Sequence, residues 1–133
     1  MANSEFKVLL VEDDEVVAEM YRLALVAAGR TVLIARDGEE GLLMVSDEEP
    51  DFVVLDVRLP RLNGLEVLAR LRTNPKTREL PVIILSNVGD PELLARGSHL
   101  GALEFMIKAQ TTPAQLNLRI AEHQRWTDTL ESR

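Results

Sequence analysis

The stretch FVVLDVRLPRLNG (Phe52–Gly64) decides how the chain is read. Its first four residues are apolar without interruption, as in a strand covered on both faces, and Asp56 ends the run. An isolated carboxylate is expensive in an apolar interior unless it is paired or bound to a metal. Asp56 therefore either sits just beyond the buried part of its strand or has a partner elsewhere in the chain.

Working outward from this strand, short apolar runs alternate with segments of helical period. KVLLV (Lys7–Val11), TVLIA (Thr31–Ala35), PVIILS (Pro81–Ser86) and LEFMIK (Leu103–Lys108) read as four further strands. A helix is predicted over Glu15–Ala28, with Val16, Val17, Met20, Ala24, Ala27 and Ala28 as its apolar positions and Gly29 as its stop. Asp37 and Glu40 form a capping-box opening for a helix to about Ser46. Asn63 caps a helix over Leu65–Arg72, and Asp90-Pro91 opens one to about His99. Thr112, Pro113 and Gln115 start the last helix, whose apolar positions are Leu116, Ile120 and Trp126 and whose end is polar. Strands alternating with crossover helices specify an α/β fold: a doubly wound five-stranded parallel sheet with helices on both faces. With no repeat or linker, residues 1–133 read as one domain, its core at about 6–121 and residues 122–133 forming the end of the last helix and a tail.

Composition narrows the function. Fifteen basic against 22 acidic residues give a net charge of -7, which argues against binding nucleic acid or an anionic membrane through bulk charge. The absence of cysteine excludes disulfides and thiol chemistry. No run approaches membrane-spanning length, and the N-terminus has too short an apolar stretch for a signal peptide, so a cytoplasmic protein is expected.

In open parallel sheets, functional groups gather beyond the carboxyl ends of the strands. Here those ends carry Glu12-Asp13-Asp14, Asp56, Ser86-Asn87 and Lys108. Clustered carboxylates repel, and a hard divalent cation such as Mg²⁺, which takes oxygen ligands, relieves the repulsion. Each group also has a plain alternative. Asp13 or Asp14 could serve only as a helix cap, Asp56 as a surface acid, Ser86 as a turn residue and Lys108 as a solvated charge. The joint placement at one edge, with signs suited to a phosphoryl group, favours a site.

LLVEDD, VVLDVRLPRLNG, ILSN and EFMIK together resemble the receiver domain of bacterial two-component response regulators, from about Phe6 to Ala121. The resemblance implies a flavodoxin-like fold and a stand-alone, chemotaxis-regulator-like signalling protein rather than an enzyme. It implies that Asp56 accepts a phosphoryl group from a sensor histidine kinase or histidine phosphotransfer protein. Glu12, Asp13, Asp56 and the backbone carbonyl of Arg58 would hold Mg²⁺. Ser86 and Lys108 would bind phosphoryl oxygens, and Ser86 with Phe105 would switch the surface that meets a downstream protein target.

Two positions depart from the family pattern. Ala109 follows Lys108 where receivers usually carry a cis proline, so a trans bond and a reshaped loop are expected. Phe105 lacks a tyrosine hydroxyl, so switching there would rest on packing. Arg58 could touch the phosphoryl group or its donor, or be a plain surface arginine; His99 and His123 lack ligand spacing. A dehalogenase-type phosphatase would need a second aspartate at the position of Arg58, and a flavin site would be repelled by Glu12-Asp13-Asp14. A receiver-shaped module that is never phosphorylated, and a receiver cut from a larger regulator or hybrid kinase, are the remaining alternatives.

Overall fold

β3 (Phe52–Leu55) lies at the middle of a five-stranded sheet ordered β2-β1-β3-β4-β5. Its companions are β1 (Lys7–Val11), β2 (Thr31–Ala35), β4 (Val82–Ser86) and β5 (Glu104–Ile107). All pairings are parallel, so every strand delivers its carboxyl end to the same edge. The structure, a computed structural model, describes residues 6–87 and 91–131; the expected cap at Asp90 and the side chain of Trp126 lie outside the described residues.

The strand alternation divides the core in two. Leu9, Val11, Val53, Leu55, Val82 and Ile84 meet α2 (Gly38–Glu48) and α3 (Gly64–Thr73), with Leu93 of α4 (Pro91–His99) packed against them. Val8, Leu10, Phe52, Val54, Ile83 and Leu85 meet α1 (Glu15–Ala27) and α5 (Pro113–Glu131). The doubly wound arrangement read from the alternation of runs is the one observed.

The caps explain most helix starts. The Asp14 side chain accepts from the N–H groups of Val16 and Val17, and Asn63 accepts from Glu66. Thr112 and Gln115 form a reciprocal capping box at 3.1 and 2.8 Å. The box at α2 is skewed: Asp37 accepts from Glu40 N–H, but the Glu40 carboxylate reaches back to the N–H of Arg36. α2 continues past Ser46 to Glu48 and stops at Glu49, whose φ of 48° breaks the helical path.

One expectation fails. The α1 stripe headed by Val16 and Met20 does not face the core: these residues are 79% and 45% exposed. Ala18, Tyr21 and Leu25 are buried instead. α1 is apolar on two faces, so period alone does not choose between them; the face carrying the bulkier, better-packing Tyr21 and Leu25 wins the greater burial.

The loop after β3 is tightly drawn in. A Cβ on Gly64 would lie 2.0 Å from the carbonyl oxygen of Asp56, and one on Gly38 would lie 2.0 Å from that of Leu62. Within the loop, Arg61 adopts a φ of 69°, and its guanidinium lies 3.7 Å from Asp37 and 3.8 Å from Glu39. Backbone cannot yield as a flexible side chain would. Gly64→Ala should therefore lower the urea midpoint by the equivalent of about 1–3 kcal/mol. An unchanged midpoint would show that the loop has freedom the packing denies it.

Candidate functional site

The backbone ladder runs one residue beyond the strands. Glu12 N–H donates to Ala35 O, and Asp56 N–H donates to Val11 O. This brings Glu12 and Asp56 side by side at the carboxyl edge, where they are 2% and 5% exposed. Asp13 follows at the surface. One carboxylate oxygen from each of Glu12, Asp13 and Asp56 lies within 4.8 Å of the others. Asp14 is the α1 cap, which leaves Asp13 free for the cluster.

The partner that Asp56 requires is present in the chain. Lys108 Nζ lies 2.8 Å from Asp56 Oδ2 and 2.5 Å from Glu12 Oε1. Asp56 Oδ1 accepts from the Arg58 N–H at 3.2 Å, and Glu12 Oε2 accepts from the Asp14 N–H at 3.1 Å. The ammonium thus offsets part of the carboxylate repulsion that a divalent cation is expected to relieve. Lys108 lies one residue beyond β5, in a short 3₁₀ turn over Lys108–Gln110 rather than in the strand. Its bond to Ala109 is trans, as expected.

Ser86 ends β4. It is 0% exposed, and its hydroxyl has no hydrogen-bond partner among the described residues. A buried polar atom left unsatisfied is costly and points to an absent ligand. The register pairs Leu55 with Ile84, so Ser86 extends past the site alongside the loop that leaves Asp56. Phe105, on β5, is half-buried and lies beside Gly97 of α4. Arg58 is exposed and makes no ion pair among the described residues. His123 packs edge-on against Phe52 with centroids 5.5 Å apart, in keeping with a structural role.

Burial pushes the Glu12 carboxyl above its ordinary range, and the charge of Asp56 adds to this; Lys108 and the Asp14 N–H oppose without prevailing. Burial pulls the Lys108 ammonium down, but hydrogen bonds and charge from Asp56 and Glu12 outweigh it, so its net shift is upward. The consequences for stability have opposite senses. The Lys108 contribution holds below the ordinary lysine pKa and is lost only as pH rises through its higher folded value. The raised Glu12 pKa means that its ionised form burdens the fold above the ordinary carboxyl range, neutral pH included.

Two neighbours of the site escaped the sequence reading. Tyr21 was not among the core positions expected of α1, and Thr111 carries no motif. Their hydrogen bond, Tyr21 hydroxyl to Thr111 carbonyl at 3.0 Å, joins elements 90 residues apart. The signal available was the burial of an aromatic with a polar tip, which usually requires a partner.

A doubly wound sheet with acids, a lysine and a buried hydroxyl, unpartnered among the described residues, at its carboxyl edge defines a module suited to holding a hard cation and a phosphoryl group. The chain belongs to the response regulator receiver domain family, which it matches over residues 8–121. Receivers of this kind are the phosphorylated signalling domains of two-component systems, not enzymes in the usual sense. The chain is 37% identical over 100 residues to the transcriptional regulatory protein AfsQ1 of Streptomyces coelicolor, covering 75% of this chain and 43% of that protein. Among solved structures, chemotaxis protein CheY4 of Vibrio cholerae matches with a TM-score of 0.82 at 27% identity, covering 90% of this chain and 98% of the other. The receiver domain of Francisella response regulator 1452 matches with a TM-score of 0.83 at 28% identity, covering 91% and 98%. The chain spans between 14% and 52% of the length of the curated relatives it matches.

The electrostatics predict a trade between stability and binding. With no divalent metal at neutral pH, Glu12→Gln should unfold at the same temperature as the native chain or higher, because a neutral group replaces a burdened one. Its Mg²⁺ affinity should fall by more than about tenfold, since even outer partners of metal ligands contribute that much. A clear loss of thermal stability would mean that the Glu12–Lys108 pair outweighs the burial of the charge.

Proposed function

We propose that Asp56 is the phosphoacceptor of this receiver. The observation that carries the reading is the convergence on one buried carboxylate of a lysine ammonium, two further acids and a backbone N–H. Attack by an Asp56 oxygen forms an O–P bond as the bond from phosphorus to the donor breaks, a nitrogen when the donor is a phosphohistidine. The reaction needs charge neutralised on the nucleophile and on the transferred oxygens, and the lysine is placed to do this. Lys108, freed from part of its ion pair, would follow the new oxygens. The buried Ser86 hydroxyl would find in one of them an acceptor.

The ligand set suits Mg²⁺ by its chemistry: all donors are oxygens, three of them carboxylates. Glu12, Asp13, Asp56 and the Arg58 carbonyl would hold the ion. When bound, it supplies charge neutralisation at the acceptor and at the phosphoryl group.

The donor would be a sensor histidine kinase or a histidine phosphotransfer protein, in the cytoplasm, and the chain would assist its own dephosphorylation. Rearrangement of Ser86 and Phe105 would alter the face formed by α4, β5 and α5, which a downstream protein reads or from which a phosphorelay continues. Residues 1–133 would then form one receiver unit. A second reading has specific support. The curated relatives it matches are about twice as long or longer, which supports reading this receiver as the input segment of a larger regulator.

Incubation with Mg²⁺ and a small acyl phosphate, followed by intact mass, should show one phosphoryl adduct. Asp56→Asn or a chelator should abolish it, and Ser86→Ala should slow its formation without preventing it. An adduct of equal yield on the Asn variant would transfer the acceptor role to another residue.

A further inference from the structure

The turn that presents Lys108 is weakly fastened by its own sequence. β5 is an edge strand of four residues, and the turn that follows exposes Ala109 and Gln110. No proline fixes the backbone after the lysine. Two local bonds close the turn: Thr111 N–H donates to Lys108 O at 3.2 Å, and Thr111 Oγ1 donates to Ile107 O at 2.7 Å. Both lie within five residues and define the shape of the turn without fixing it to the body of the protein.

Tyr21 supplies that attachment. Its ring is 1% exposed in the core between α1 and α5, and its hydroxyl donates to the carbonyl of Thr111, itself 9% exposed. Tyr21 lies on the helix that begins immediately after Glu12 and Asp13 and is capped by Asp14. One rigid element therefore connects the acids to the turn carrying their counter-charge.

We propose that Tyr21 is a positioning residue for Lys108: its buried hydrogen bond to Thr111 anchors the turn that aims the ammonium at Asp56 and Glu12. The inference rests on the phosphoacceptor reading for its effect on rate, but not for its effect on metal binding. The Lys108 ammonium is paired with Asp56 and Glu12, two of the three acids of the candidate metal cluster, so it would compete with a cation for their charge. Loosening it should impair phosphoryl transfer while making the carboxylates easier for Mg²⁺ to claim. General damage to the site would weaken both.

The test compares Tyr21→Phe, which keeps the ring and removes the hydroxyl, with Leu25→Val, a core change one turn further along the same helix. In Tyr21→Phe, phosphorylation by a small acyl phosphate should slow by roughly three- to tenfold, the worth of one hydrogen bond. Mg²⁺, titrated against amide NMR shifts, should bind more tightly than to the native chain. Leu25→Val should lose thermal stability while both quantities stay within about twofold of native, because it leaves the Tyr21 hydroxyl and its bond to Thr111 in place. In a Lys108→Ala background, adding Tyr21→Phe should leave Mg²⁺ affinity unchanged, because the group being positioned is gone. Weaker or unaltered Mg²⁺ binding in Tyr21→Phe, or an equal response to Tyr21→Phe with and without Lys108, would overturn the proposal. If the native chain takes up no phosphoryl group at all, the phosphoacceptor reading fails by itself, and the Mg²⁺ arms still decide the role of Tyr21.

Discussion

Everything at the carboxyl edge depends on one electrostatic fact: two nearly buried carboxylates are held against a single ammonium. Two unit charges about 4 Å apart at an effective dielectric near 20 interact by about 4 kcal/mol, several times the net value of an ordinary hydrogen bond. Glu12 and Asp56 without Lys108 would repel on that scale. Lys108 lies between them, at 2.5 and 2.8 Å, and offsets part of that repulsion. The parallel sheet makes this possible, because β1, β3 and β5 come from distant parts of the chain and end at one side.

The same edge concentrates the local costs of the fold. Ser86 has a buried hydroxyl with no partner among the described residues, and Glu12 is burdened by its charge. Away from this edge, the two core clusters are apolar, with the strand residues of β3 and β4 almost wholly enclosed. Stability is generated on the two faces of the sheet and drawn down at one end of it. This division is expected of a site whose groups are arranged for a ligand rather than for one another.

The parts of this plan carried by local chemistry were legible in the sequence. Continuous apolar runs marked the strands, and caps at Asp37, Asn63 and Thr112 marked helix starts, because both signals depend on near neighbours. The gathering of Glu12, Asp13, Asp56, Ser86 and Lys108 at one edge followed from topology once the strands were known. What escaped were choices settled by tertiary packing. α1 offers two apolar faces, and only contact with α5 and the sheet selects Ala18, Tyr21 and Leu25. The choice between Asp13 and Asp14 as cap needed backbone geometry. That Lys108 pairs with both acids could not be read, since its reach depends on a turn with no strong sequence signature.

The arrangement also bounds how strongly a phosphoryl group at Asp56 could reshape the far face of the sheet. The Ser86 hydroxyl would gain a hydrogen bond to a charged oxygen, worth about 1.5–3 kcal/mol. That is roughly a ten- to hundredfold change in a two-state ratio, well short of the ten-thousandfold needed to pass from almost none to almost all. The face proposed to respond is built to the same scale. Gly97 lets α4 approach so closely that a Cβ there would lie 2.8 Å from the Ile84 side chain and 3.7 Å from the Phe105 ring. Around Arg119, the ion pairs with Glu104 and Glu122 are half-exposed and individually weak. Under the proposed function, a switch of this design would shift a population by moderate amounts, and any further bias towards the active arrangement would have to come from a protein bound at the α4–β5–α5 face.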